Sequence, residues 1–185
     1  MEFAGKKVLV FGTGISGIAA AKLLENVGAA VVLFDGNQEL DKKHVLENFE
    51  ADHMPELYVG ELPEEVRAGL DLVVLSPGVP TDLPFVNELR DAGLPIWGEI
   101  ELAYVLGKGN VVAITGTNGK TTTTTLVGQI MARHFAHVAV VGNIGIPYTS
   151  VAEETTDDTV VVAEISSFQS VSYTHLRAHE TRRHL

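Results

Sequence analysis

Short β-branched runs alternate with helical patterns along the chain. Lys7–Phe11 reads as a strand. Ile15–Val27 follows as a helix, with Ile18, Ala21 and Leu24, and also Ala20, Leu23 and Val27, at helical spacing. Gly28 is placed to stop it. Val31–Phe34 predicts a second strand, Glu39–Phe49 a helix and Leu57–Val59 a short strand. Leu72–Leu75 is continuously apolar, the pattern of a strand buried on both faces. Leu83–Ala92 predicts a helix ended by Gly93, Pro95–Trp97 a short strand, and Glu99–Leu106 another helix. A second series then begins: strand Val111–Thr115, helix Lys120–His134, and strands His137–Val141 and Val160–Ile165. Strand–helix alternation of this kind predicts an α/β fold, with parallel sheets covered by helices. Two Gly-rich strand-to-helix turns, near residues 12 and 116, suggest two successive units with a boundary near Trp97–Gly98. No period of 20–50 residues marks a solenoid.

Composition narrows the classes. The chain has 185 residues, 45% of them hydrophobic, a net charge of −11 and no cysteine. It is long enough for one full domain or two small ones, and too apolar for a disordered chain. Zero Cys excludes a disulfide scaffold, a thiolate metal site and cysteine nucleophilic catalysis. The acidity argues against nucleic acid or an anionic membrane surface as partner. It leaves room for a local phosphate site, because backbone N–H groups can build one on an acidic protein. Apolar runs such as Leu72–Leu75 and Val138–Val141 are far shorter than a membrane span. The N-terminus lacks the apolar segment of a signal peptide, so a cytoplasmic protein is expected. Three of the six arginines, Arg177, Arg182 and Arg183, lie in the last nine residues, beside His175, His179 and His184. Residues 173–185 therefore stand apart from the body in composition.

Gly12-Thr13-Gly14-Ile15-Ser16-Gly17 is a G-x-G-x-x-G pattern between a strand and a helix, and Asp35 ends the next strand. Glycines permit a tight turn and close backbone approach, and the helix N-terminus offers free N–H groups to a diphosphate. The acid can accept a hydrogen bond from a ribose or base. The alternative is that the glycines serve helix–strand packing only. NAD is the ligand first suggested by such a turn, but nothing in the chain supplies hydride chemistry. Ser76-Pro77-Gly78-Val79-Pro80 follows the buried strand, as either a pocket wall or an ordinary turn.

Thr115-Gly116-Thr117-Asn118-Gly119-Lys120-Thr121-Thr122 is the strongest signal. Gly-rich backbone can surround phosphates, a Lys ammonium can reach the β/γ oxygens, and a Thr hydroxyl can coordinate Mg²⁺. The loop is shorter than the general G-x-x-x-x-G-K-[ST] pattern, because Ile114 stands where its first glycine would be. Glu164, near the end of a buried-type strand, suits a hard cation, or simply faces solvent at a strand end. Gly142 and Asn143 end another strand, the glycine for close approach and the Asn as donor and acceptor.

Together these residues resemble the Mur ligases of peptidoglycan synthesis. The Thr115–Thr121 loop is similar to the family's ATP loop, which folylpolyglutamate synthases share. The Gly12–Gly17 turn, Asp35, Ser76-Pro77-Gly78 and Gly98-Glu99-Ile100-Glu101-Leu102 are similar to the D-glutamate-adding branch. The L-alanine-adding branch usually has His where Asn118 stands. The resemblance implies an N-terminal Rossmann-like parallel sheet (residues 1–97) that holds the UDP of a substrate rather than NAD. The start of a P-loop-type central ATPase domain (98–172) would follow. The backbone at Ile15 and Ser16 would approach the diphosphate, Asp35 and Gly78 would border the uracil, and Asn143 would reach the UDP-sugar. Gly36-Asn37 replace a polar pair that often follows the aspartate. Gly116, Thr117, Asn118, Gly119, Lys120, Thr121 and Thr122 would cradle ATP phosphates, with Lys120 as the catalytic group. Thr121 and Glu164 would hold Mg²⁺, and Ser166 and Gln169 would lie beside the sugar–peptide substrate.

The implied activity joins D-glutamate to UDP-N-acetylmuramoyl-L-alanine with ATP, as an acid–D-amino-acid ligase. The alanyl carboxylate attacks ATP to give an acyl phosphate, and the amine of D-glutamate then displaces phosphate. ATP and Mg²⁺ are the implied cofactors, no nucleic acid or membrane is a partner, and the full-length family member would be monomeric. The resemblance runs from residue 1 to about 171, and the family's adenine and D-glutamate contacts fall later. A chain of this extent is expected to be inactive alone, with 173–185 non-native or disordered. Val160–Ile165 is expected to expose an unpaired edge. Two other readings stay open: a nucleotide-binding module for NAD or UDP without ligase chemistry, and another ligase of the Mur or folylpolyglutamate type.

Overall fold

The computed structural model describes residues 2–51, 53–143 and 145–166. Two parallel sheets follow each other along the chain. The first contains β1 (Lys7–Phe11), β2 (Ala30–Asp35), β3 (Glu56–Val59), β4 (Leu72–Leu75) and β5 (Ile96–Gly98), in the order β3-β2-β1-β4-β5. Side chains alternate across it. Val8, Val10, Leu33, Val74 and Trp97 enter one core cluster, while Leu9, Phe11, Val32, Phe34, Val73 and Leu75 enter the other. Burial on both faces explains why these strands read as unbroken apolar runs.

The first face is covered by α1 (Ile15–Asn26) and α5 (Glu99–Leu106). The opposite face carries α3 (Glu64–Arg67) and α4 (Pro84–Asp91), which contribute Val66, Val86 and Leu89. The remaining helix of this unit, α2 (Lys42–Leu46), is shorter than the helix predicted over Glu39–Phe49. Asp41 caps it late, accepting from the backbone of Lys43 and His44, and the Asn48 amide donates to the carbonyls of His44 and Val45 at its end. Helix α3 was not visible in the sequence pattern.

The second sheet contains β6 (Asn110–Ile114), β7 (Val138–Gly142) and β8 (Val160–Glu164), in the order β6-β8-β7. Helix α6 (Lys120–Met131) packs on it, with Thr124 and Gly128 buried. The expected open edge at Val160–Ile165 is not found. β8 pairs with β6 on one side and β7 on the other, and all five of its residues are buried. The chain crosses from β6 to β7 and then inserts β8 between them, so the fully buried strand takes the centre. Two 3₁₀ turns, Tyr148–Ser150 and Ala152–Glu154, pack Tyr148 and Ala152 into the same core cluster as α1 and α5. That cluster also takes in Val141, Val161 and Ala163, so one apolar core runs from the first unit into the second. No helix among the described residues is long and apolar enough to cross a membrane.

Candidate functional site

The order β3-β2-β1-β4-β5 reverses direction between β1 and β4, which places a crevice at the carboxyl ends of those two strands. Gly12–Gly17 leaves β1 there, and Ser76-Pro77-Gly78 leaves β4. The two segments are joined: Ser76 Oγ donates to the Gly12 carbonyl at 3.1 Å, from a buried position. Gly17 shows why a glycine is required, since a Cβ there would overlap the Gly12 carbonyl oxygen. Ile15 is 79% exposed and Ser16 half-buried at the start of α1. Gly78 is exposed, with open space where a side chain would be.

Asp35 is less free than its position suggests. Its Oδ2 accepts from the backbone N–H of Thr13 at 3.1 Å and from Thr13 Oγ1 at 2.8 Å. Its Oδ1 accepts from the Asn37 backbone at 3.0 Å. The carboxylate thus shapes the glycine turn as well as standing at the crevice. Thr13 had no signal of its own in the sequence, being the variable position of the glycine pattern.

The second site is built at the carboxyl ends of the other sheet. Register places Ile114 and Gly142 on either side of Glu164. From β6, the loop 115–119 leads into α6 through Gly119, whose φ of +74° is left-handed. Lys120 Nζ donates to the Gly116 carbonyl at 2.8 Å, folded across the loop. Thr121 Oγ1 donates to Glu164 Oε2 at 2.9 Å. Glu164 is only 2% exposed, so the solvent-facing alternative for it is excluded. Asn143 is drawn to the same place, its backbone N–H donating to the Glu164 carbonyl at 3.0 Å. Thr117, Asn118 and Thr122 are exposed around the loop, and Ser166 is half-buried just beyond β8. Gln169 and residues 173–185 lie outside the described residues.

The donor set fits a hard divalent cation: one carboxylate and one hydroxyl, both oxygen, with phosphate and water able to complete the shell. Among the described residues no group of three or more His, Asp or Glu could hold a metal alone. A second buried acid, Glu99, opens α5 directly after β5. It accepts from the Thr149 backbone and from Thr149 Oγ1, each at 2.7 Å. Burial pushes its carboxyl above the usual range, and hydrogen bonds from Thr149 and Tyr148 oppose that shift. Burial also raises the neighbouring Tyr148 phenol to about 12, with Tyr104 and Glu99 adding to it.

The fold and loops define a two-unit α/β protein with a dinucleotide-type turn and a phosphate-type loop. Residues 6–98 match the Mur ligase MurD-like N-terminal domain. Residues 114–182 match the Mur ligase middle domain, a span that includes most of the compositionally distinct segment. The chain belongs to the Mur ligase family. It is 54% identical over 169 residues to the UDP-N-acetylmuramoylalanine–D-glutamate ligase of Lachnoclostridium phytofermentans, covering 91% of this chain and 37% of that protein. It is 42% identical over 178 residues to the ligase of the same name from Clostridioides difficile, covering 96% and 39%. The chain thus spans well under half the length of these relatives. A solved UDP-N-acetylmuramate:L-alanyl-γ-D-glutamyl-meso-diaminopimelate ligase from Neisseria meningitides shares the fold, with a TM-score of 0.51 at 19% identity, over 89% of this chain and 55% of that one.

Proposed function

We propose that the chain carries the UDP-sugar site and the ATP-phosphate site of a ligase that joins D-glutamate to UDP-N-acetylmuramoyl-L-alanine in the cytoplasm. The observation that carries this reading is the Thr121–Glu164 pair at the mouth of the Lys120 loop. The names of the relatives supply the substrate. In this reading residues 1–97 bind the UDP-sugar, and residues 98–172 begin the ATP-binding unit.

Mg²⁺, when bound, would neutralise phosphate charge, held by Thr121 and Glu164. Lys120 would exchange its internal bond to Gly116 for the β/γ-phosphate oxygens and stabilise negative charge as the phosphoryl group moves. Backbone N–H groups of residues 116–122 would surround the phosphates. The turn at Ile15 and Ser16 would hold the diphosphate of the UDP-sugar on the N-terminus of α1, and Asp35 and Gly78 would border its base. Asn143, tied to the Glu164 backbone, would orient the sugar toward the phosphate loop. Ser166 and Gln169 would flank the sugar–peptide end. The contribution of these groups is positioning and charge neutralisation, so that the substrate carboxylate meets the terminal phosphate in line.

Isothermal titration of the chain tests this with three ligands: UDP-N-acetylmuramoyl-L-alanine, ATP with Mg²⁺, and NAD. Binding of the first two, with ATP binding dependent on Mg²⁺, is the expected result. Tighter binding of NAD than of the UDP-sugar would overturn it in favour of a nucleotide-binding module without ligase chemistry.

A further inference from the structure

We propose that Glu99 is a positioning residue: its buried carboxylate clamps the loop that carries Asn143 and holds it in place between the two glycine turns. The functional half of this proposal rests on the UDP-sugar reading above.

Glu99 opens α5, directly after β5 of the first sheet, and is 2% exposed. An acid in the first turn of a helix ordinarily faces solvent, where the helix dipole favours it. Here it turns inward and serves a segment fifty residues away. Its Oε1 accepts from both the backbone N–H and the hydroxyl of Thr149, in the middle of the 3₁₀ turn Tyr148–Ser150. An apolar side chain would suffice for packing at this point. Two donors from one residue, converging on one buried carboxylate oxygen, fix that turn's orientation as well.

The turn is the far end of the loop that leaves β7. At the near end, the Asn143 N–H donates to the Glu164 carbonyl, and the Gly142 N–H to the Ile146 carbonyl, each at 3.0 Å. Gly142 has φ +112°, and a Cβ there would overlap the Glu164 carbonyl oxygen. The loop is therefore strung between two buried acids. Glu164 holds one end by its backbone while its side chain meets Thr121 of the phosphate loop. Glu99 holds the other end from α5, which packs on the first sheet. Helix α1, whose N-terminus is that turn, shares a core cluster with Tyr148. Asn143 thus has its place set from an element on each of the two sheets.

The test compares the 185-residue chain with Glu99→Ala, Glu99→Gln, Thr149→Val and Asn143→Ala. Amide hydrogen exchange is followed by NMR, and affinities for UDP-N-acetylmuramoyl-L-alanine and for ATP with Mg²⁺ by calorimetry. Glu99→Ala is expected to speed exchange at residues 145–150 by about tenfold while β1 and β4 stay protected, and to weaken the UDP-sugar by about tenfold. Its ATP affinity stays within about twofold. Glu99→Gln, which keeps an acceptor oxygen, restores most of both losses, and Thr149→Val falls between. Asn143→Ala weakens the UDP-sugar without speeding exchange, and adding Glu99→Ala to it weakens binding little further.

Unchanged exchange at 145–150 in Glu99→Ala overturns the clamp. So does a general loss of protection in Glu99→Ala that Glu99→Gln fails to restore, since Glu99 would then serve folding as a whole. Faster exchange with full UDP-sugar affinity overturns the positioning role. If the unsubstituted chain binds no UDP-sugar, the function proposed above fails, and the exchange measurement decides the clamp by itself.

Discussion

Gly17→Ala and Gly14→Ala, two identical changes in one motif, should differ sharply in their effect on stability. At Gly17 the new methyl would overlap the Gly12 carbonyl oxygen and lie 2.7 Å from Ser76 Oγ. Neither neighbour is the free end of a flexible side chain, so α1 must move off β1 or the turn must open. Overpacking of this kind costs about 1–3 kcal/mol. Losing the Ser76–Gly12 hydrogen bond adds about 1 kcal/mol. Replacing a helical glycine with alanine returns about 1 kcal/mol. The balance is a loss of about 2 kcal/mol, or roughly 4–8 °C in melting temperature for a chain of this size. Gly14 has φ −71° and nothing within 4 Å of a built Cβ, so Gly14→Ala should melt within about 2 °C of the parent. Under the proposed function it should nonetheless weaken the UDP-sugar, because the methyl occupies the side from which a diphosphate approaches. Trp97, the single tryptophan, is 3% exposed and packs edge-on against Phe3, so its fluorescence reports the unfolding of this core. A Gly17→Ala protein that melts with or above the parent would refute the argument from close approach.

Four further outcomes are expected. Glu164→Gln should keep the fold but reduce the Mg²⁺-dependent part of ATP binding at least about tenfold, while UDP-sugar affinity, read in the same calorimetric series, changes less. Thr124 Oγ1 is buried without a hydrogen-bond partner among the described residues, so Thr124→Val should leave the melting temperature unchanged or raise it, up to about 1 kcal/mol. Thr13→Val removes one of the donors to Asp35 and should cost about 1–2 kcal/mol in denaturant unfolding, with Asp35→Ala no milder. Glu99 gives a pH signature. Its folded carboxyl lies above the ordinary 4.5, so its contribution to stability is largest below the unfolded value and is lost as pH rises through the folded one. The melting temperature of the parent relative to Glu99→Gln should therefore climb as pH falls from neutral toward that ordinary value, and a decline over the same range would contradict the raised carboxyl.

Spacing along the chain carries local information. The strands, the longer helices and both glycine turns follow from spacing over a few residues, and most of the strands and longer helices lie within one or two residues of the predicted bounds. The loop 115–122 was legible as a candidate site because Gly-rich backbone, Lys and Thr are contiguous, and so was the crevice turn. The exceptions are equally local: Asp41 shortened α2 by capping it late, and α3 is a single turn too brief to show a period. Tertiary structure decided the partners of the acids. Asp35, Glu99 and Glu164 look alike as lone carboxylates at strand or helix ends. Only the fold turns the first onto Thr13, the second onto Thr149 and the third onto Thr121, at separations of 22, 50 and 43 residues. It likewise put β8 at the centre of its sheet, where an edge was expected. Strand order and long-range hydrogen bonds depend on which surfaces meet in space, and periodicity along the chain carries no record of that.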